Sequence, residues 1–239
     1  MQFSDTTNNL GIIQACERYT NLGDTTISGS TANLKEFTAY ANTTMRRLWH
    51  KIFMSSGNWH YDDGNQTNLP QAVTNIVAAQ AKYAIPSDAV TIKRMEYKDS
   101  NGDWSEVHPL TLEEIPMAVD EYHKEDADPI RYRLVDDTIE LFPAPKSNVT
   151  GGLKVYFDRG SVAFANTDTT KTPGFVAEYH DLVAVGASLE WLKIHLPANP
   201  TTAQLKEDWL VGMDSLGKFY NRRFKDYKIT INRKIEYFR

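Results

Sequence analysis

From Leu34 to Ile52 the apolar residues recur at intervals of three and four: Leu34, Phe37, Ala41, Met45, Leu48 and Ile52, with Trp49 and Phe53 widening the stripe. That period predicts an amphipathic helix over residues 32–55, with its aromatic-rich face turned to a core. A shorter helix is predicted over residues 9–20, capped by Asn8 or Asn9, with Leu10, Ile13 and Cys16 on one side. Residues 21–30 are polar and read as a loop. The helical period stops at Ser55-Ser56-Gly57, and Asp62-Asp63-Gly64-Asn65 is a dense turn signal, because Asp and Asn bond their own backbone and Gly accepts positive φ.

Short apolar runs follow. Val73, Ile76, Val77, Tyr83 and Ile85 fit two short strands, with Pro86 ending the second. Residues 89–97 and 104–109 flank Ser100-Asn101-Gly102-Asp103, which predicts a hairpin with a type I′ turn. Residues 111–121 predict a helical turn or two, broken by Pro116. A second hairpin is predicted at Asp136-Asp137, and another strand over 153–158. Residues 161–172 are polar and read as a mobile linker. The helical period returns over 175–196, where Val176, Tyr179, Leu182, Val183, Ala187, Trp191 and Ile194 cover more than one face, and Gly186-Ala187-Ser188 permits close approach of another helix. Apolar surface in excess of one face calls for cover by another helix or a neighbouring subunit, so Trp191 and Tyr179 are the predicted subunit-interface residues. Thr201 with Gln204 predicts a capping box for a last helix striped by Leu205, Trp209, Met213, Leu216, Tyr220 and Phe224.

This order predicts an α+β protein. A helical bundle forms from the N- and C-terminal helices (1–57 and 174–227). A β-rich domain, a sandwich or open barrel, is inserted over 58–173, and an extended arm occupies 228–239.

Charge sharpens the reading of the arm. The net charge of −5 divides into +6 over residues 217–239 and −11 over the rest. A basic end on an acidic body implies an acidic partner for that end. Residues 228–239, KITINRKIEYFR, alternate like a strand with no sequence neighbour to pair with, and are too apolar for a purely solvated end. The single cysteine, Cys16, excludes a disulfide framework within the chain. The opening residues MQFSDTTNNL lack the basic-then-apolar order of a secretory signal, and no apolar run is long enough to span a membrane.

Catalytic and metal-binding patterns are missing. The six histidines form no HExxH spacing, and no GxSxG elbow, phosphate-binding glycine loop or dinucleotide fingerprint occurs. Asp99, Asn101 and Asp103 have the spacing of a calcium loop, but Trp104 stands where that loop needs Gly and Leu110 where it needs Glu. Glu178-Tyr179-His180-Asp181 reads as helix-start capping rather than a metal site. No catalytic, cofactor or metal residues are assigned, and the chain is not expected to be an enzyme. A non-enzymatic ligand- or glycan-binding module, stacking its ligand on Trp59, Tyr61 and Trp104, is the alternative.

Four segments in order resemble tailed-bacteriophage head–tail connector (adaptor, or neck ring) proteins, including the tail tubular adaptors: NWHYDDGN, then QAKYAIPSDAVTIKRMEY, then DPIRYRLVDDTIELFPAPKSNVTGGLKVYFDRG, then TPGFVAEYHDLVAVGASLEWL. The likeness spans residues 57–195. The chain departs from the family's glycine–x–proline–x–x–tyrosine wording, keeping Pro129 and Tyr132 without the Gly. The resemblance implies a structural virion protein, assembled in the host cytoplasm into a homo-oligomeric ring below the portal protein, contacting tail or neck proteins. Duplex DNA would pass through the lumen without specific binding, and no membrane is involved. It also implies that the arm docks on the portal, through Lys228, Ile229, Ile231, Arg233, Lys234, Ile235, Tyr237, Phe238 and Arg239.

Overall fold

The computed structural model describes residues 1–55, 61–115, 117–125 and 127–223. It divides into two compact units: Met1–Asn65 with the chain from Ser161 onward, and Gln66–Gly160.

The first unit is helical. Helices α1 (Ile12–Thr20), α2 (Thr31–Ser55), α4 (Asp181–His195) and α5 (Thr201–Arg222) belong to it. Helix α4 packs against α1, α2 and α5, and α2 also packs against α5. Phe37, Ala41, Met45, Leu48 and Ile52 of α2 are buried, the stripe read from the period. In α4 every residue from Leu182 to Leu189 is buried, which is the pattern of a helix enclosed by others rather than one lying on a surface. Gly186 allows this closeness. A Cβ there would meet Thr44 Cγ2 at 2.4 Å and Trp209 Cζ3 at 2.8 Å.

Several local expectations are corrected. Helix α1 begins after Gly11, with no side-chain cap. Asn8 is committed to the Asp5 carboxylate instead, donating from its backbone N at 3.0 Å and its Nδ2 at 3.2 Å. The helix read over 175–196 is split into a 3₁₀ turn at Ala177–Tyr179 and α4. His180 Nε2 lies 2.7 Å from Phe175 O and takes that carbonyl from the helical ladder. The start of α5 has no capping box. Asn199 Oδ1 accepts the Thr201 N–H at 2.9 Å.

Residues 161–172, read as a linker, are packed. Phe164 is buried and stacks on Phe3 with centroids 4.7 Å apart. Asn42 Nδ2 donates to Phe164 O at 2.9 Å while Phe164 N donates to Asn42 Oδ1 at 2.7 Å.

The second unit holds β1 (Gln71–Ile76), β2 (Lys82–Ala84), β3 (Ala89–Lys98), β4 (Trp104–Pro109), β5 (Arg131–Val135), β6 (Thr138–Phe142) and β7 (Val149–Arg159), with the short helix α3 (Val119–Tyr122) between β4 and β5. The strands form one curled sheet in the order β1-β7-β3-β4-β5-β6-β2. It is thus a single sheet, nearer to the open barrel than to the two-sheet sandwich. A short parallel pairing of β4 with β5 joins two antiparallel halves. Register shifts where β1 and β3 pair with β7 bend the sheet. Alternate residues of every strand meet in one core, among them Ile76, Tyr83, Tyr97, Val107, Tyr132, Leu141 and Val155.

The first hairpin forms, but without a type I′ turn. Lys98 pairs with Trp104, leaving a five-residue loop in which Gly102 has a φ of 98° and Asn101 does not enter the positive-φ region. The Asp99 carboxylate organises it, accepting N–H groups of Asn101 at 2.9 Å and Asp103 at 2.8 Å. At the second hairpin Val135 pairs with Thr138, and Asp136 takes a φ of 51°.

Candidate docking surface

Helices α2 and α5 leave an open groove between them, about 520 Å³ in volume, lined by Thr43, Arg46, Arg47, His50, Lys51 and Met54 of α2 and by Trp209 and Met213 of α5. The sequence builds it simply. Leu48 and Ile52 turn one side of α2 to the core, so Arg46, Arg47, His50 and Lys51 fall on the other. On α5, Trp209 and Met213 stand one turn apart and face α2. Met54 is 74% exposed at the end of the groove. Arg47 Nη1 pairs with Glu190 Oε1 at 2.6 Å, and this hydrogen bond holds the Glu190 carboxyl below its usual range. Arg46, His50 and Lys51 have no carboxylate partner among the described residues. An apolar floor with unpaired cations at its rim suits an acidic, apolar segment of a protein.

The other polar clusters serve their own fold. Glu17 is buried on α1, and its Oε1 accepts Ile27 N at 2.9 Å, Ser28 N at 2.8 Å and Ser28 Oγ at 3.0 Å. Asp63 is fully buried: Oδ1 accepts Asn65 N at 2.8 Å and Oδ2 accepts Val162 N at 2.6 Å. On the sheet, buried Glu140 sits opposite Arg133, which bonds it, with Lys82 Nζ at 3.9 Å and His123 Nε2 at 3.6 Å. That group borders a cleft of about 960 Å³. A carboxylate already paired with Arg across a strand register is a structural ion pair.

Trp191 is half-buried, stacked on Phe37 at 5.8 Å and His195 at 4.7 Å. Tyr179 is half-buried, donates to Ser215 O at 3.3 Å and lies 5.7 Å from Phe219. The structure does not bring the two together into one site. His180 is buried, with Nδ1 2.9 Å from the Met1 amino group, and burial lowers its pKa. Asp181 accepts Tyr19 Oη at 2.7 Å, so the acidic cluster at the start of α4 does not converge on a common point. Among the described residues no group of three metal-ligating side chains converges. Burial pushes the Cys16 thiol up to about 12, a protonated and unreactive state. Of the three proposed stacking aromatics, Tyr61 is buried against Phe53 and unavailable to a ligand. Trp104 is 41% exposed, with Lys154 Nζ 4.0 Å from its ring centre. Trp59 lies outside the described residues, as do the nine predicted portal-binding residues from Lys228 to Arg239.

The groove went unread in the sequence because attention to a helix falls on its apolar stripe. Its signal was there: Arg46-Arg47 with His50-Lys51 puts four basic side chains on adjacent turns of one polar face.

The family model described as SU10 adaptor protein matches residues 7–218, and the chain belongs to that family. It is a bacteriophage adaptor, a structural component of the virion. No curated protein matches the chain. No helix among the described residues is long and apolar enough to cross a membrane.

Proposed function

We propose that this adaptor forms a ring at the junction of head and tail, docks on the portal protein through residues 228–239, and passes DNA through its lumen. Membership of the adaptor family over residues 7–218 carries the reading. The charge division supports its details. An arm of mixed apolar and basic character suits an acidic groove on a portal, by strand addition or insertion. A body with a net charge of −11 gives duplex DNA no counterion-release gain, so DNA passes without adhering. The half-exposed rings of Trp191 and Tyr179 are proposed to border the contact between subunits, and tail or neck proteins to meet the face away from the portal.

Deleting residues 228–239 tests the docking. The expected product is a folded protein with an unchanged melting temperature that no longer joins portal-bearing heads. A destabilised or insoluble product would mean that the arm is a strand of its own subunit.

A further inference from the structure

Helix α5 carries a second surface that no described residue of its own unit covers. Glu207, Leu210, Val211 and Asp214 follow one another at intervals of three, one and three residues, which places them on one stripe. All four are exposed, Leu210 by 59% and Val211 by 61%. The stripe lies about a third of the way round the helix from Trp209 and Met213, which line the groove with α2. The same helix therefore presents two faces. One is apolar with acidic ends, and the other is apolar with a rim of Arg46, His50 and Lys51.

We propose that the acidic stripe of one copy seats in the α2/α5 groove of the next. Leu210 and Val211 enter among Met54, Trp209 and Met213, while Glu207 and Asp214 meet Arg46 and Lys51. Three observations on charge and exposure favour a second copy over other occupants. Glu207 has no cationic partner among the described residues, and Asp214 has only an exposed pairing with Lys218 on its own helix, which is readily exchanged. A groove-to-groove contact would set cations against cations. The chain's own segment from 224 onward is basic and would meet a basic rim. A contact between two different faces is heterologous, so it repeats from copy to copy and closes into a ring when the rotation permits. The inference rests on the connector reading and assigns the surfaces that would join its subunits.

Cysteine cross-linking in assembled particles tests it, since native Cys16 is buried and its thiol stays protonated. With Met54→Cys and Leu210→Cys in one chain, a short bismaleimide should yield a ladder of multimers, while either single variant yields none. Dimers from Met54→Cys alone would overturn the proposal in favour of a two-fold contact. No ladder, in particles that do contain the protein, would overturn the surface assignment and leave the connector reading standing. Protein absent from particles would overturn both. A charge swap gives an independent reading on folded protein. R46E/K51E and E207K/D214K should each weaken self-association about tenfold or more, as juxtaposed like charges do. Mixing the two variants should restore it, because each then offers the other a complementary face. Two variants that associate as the wild type does would overturn the proposal.

Discussion

Gly174 shows how much a single residue carries. Its φ is 81°, and a Cβ there would fall 2.1 Å from Asp63 Oδ1. Its carbonyl accepts the Gly64 N–H at 3.0 Å. Asp63 in turn holds Val162 and Asn65, so one buried carboxylate fixes both places where the chain leaves and re-enters the helical unit. Gly174→Ala combines strain at positive φ with displacement of that carboxylate, and should cost about 3 kcal/mol or more, read from the denaturant midpoint. A midpoint within experimental scatter of the wild type would contradict this. His180 makes a residue-scale prediction of opposite kind. Its buried ring is harder to protonate in the folded state, so the unfolded chain binds the extra proton first. Stability should therefore be fully present above the ordinary histidine pKa of about 6.5 and fall as pH drops through it. His180→Gln should flatten that part of the profile of melting temperature against pH.

At the scale of the element, α4 is the hub of the helical unit, and close approach defines it. Gly186→Leu would drive a side chain into Thr44 of α2 and Trp209 of α5. Overpacking of this severity should exceed the usual penalty of about 1–3 kcal/mol and leave the protein largely insoluble. Arg47→Ala, which removes a half-exposed ion pair with Glu190, should cost under about 1 kcal/mol in the same assay. The contrast marks what was legible in the sequence. Helix α2 and the alternating strands were legible because period reports which face is buried, and the hairpin at Asp136-Asp137 because turn chemistry is local. The loop at Asp99–Asp103 was misread because an Asp side chain outcompeted the Asn-Gly preference for its own turn. Phe164 and Asn42 were missed for another reason. Their mutual hydrogen bonds join positions 122 apart, and no local pattern announces a partner at that distance.

At the scale of the whole molecule, the α+β order was legible from the change of period alone, and the single curled sheet settles its β part as open. The groove between α2 and α5 was not, since nothing local to Arg46, Arg47, His50 and Lys51 announces the Trp209 and Met213 side chains that α5 brings beside them. Family membership then supplies the setting, a phage adaptor. We propose that this protein forms the ring on the portal to which the tail attaches. Electron microscopy of the portal vertex, with purified protein added to heads that carry the portal and lack the adaptor, tests it most directly. A closed ring of new density is expected on the vertex, absent when residues 228–239 are deleted. A vertex that stays bare with the full-length protein would contradict it.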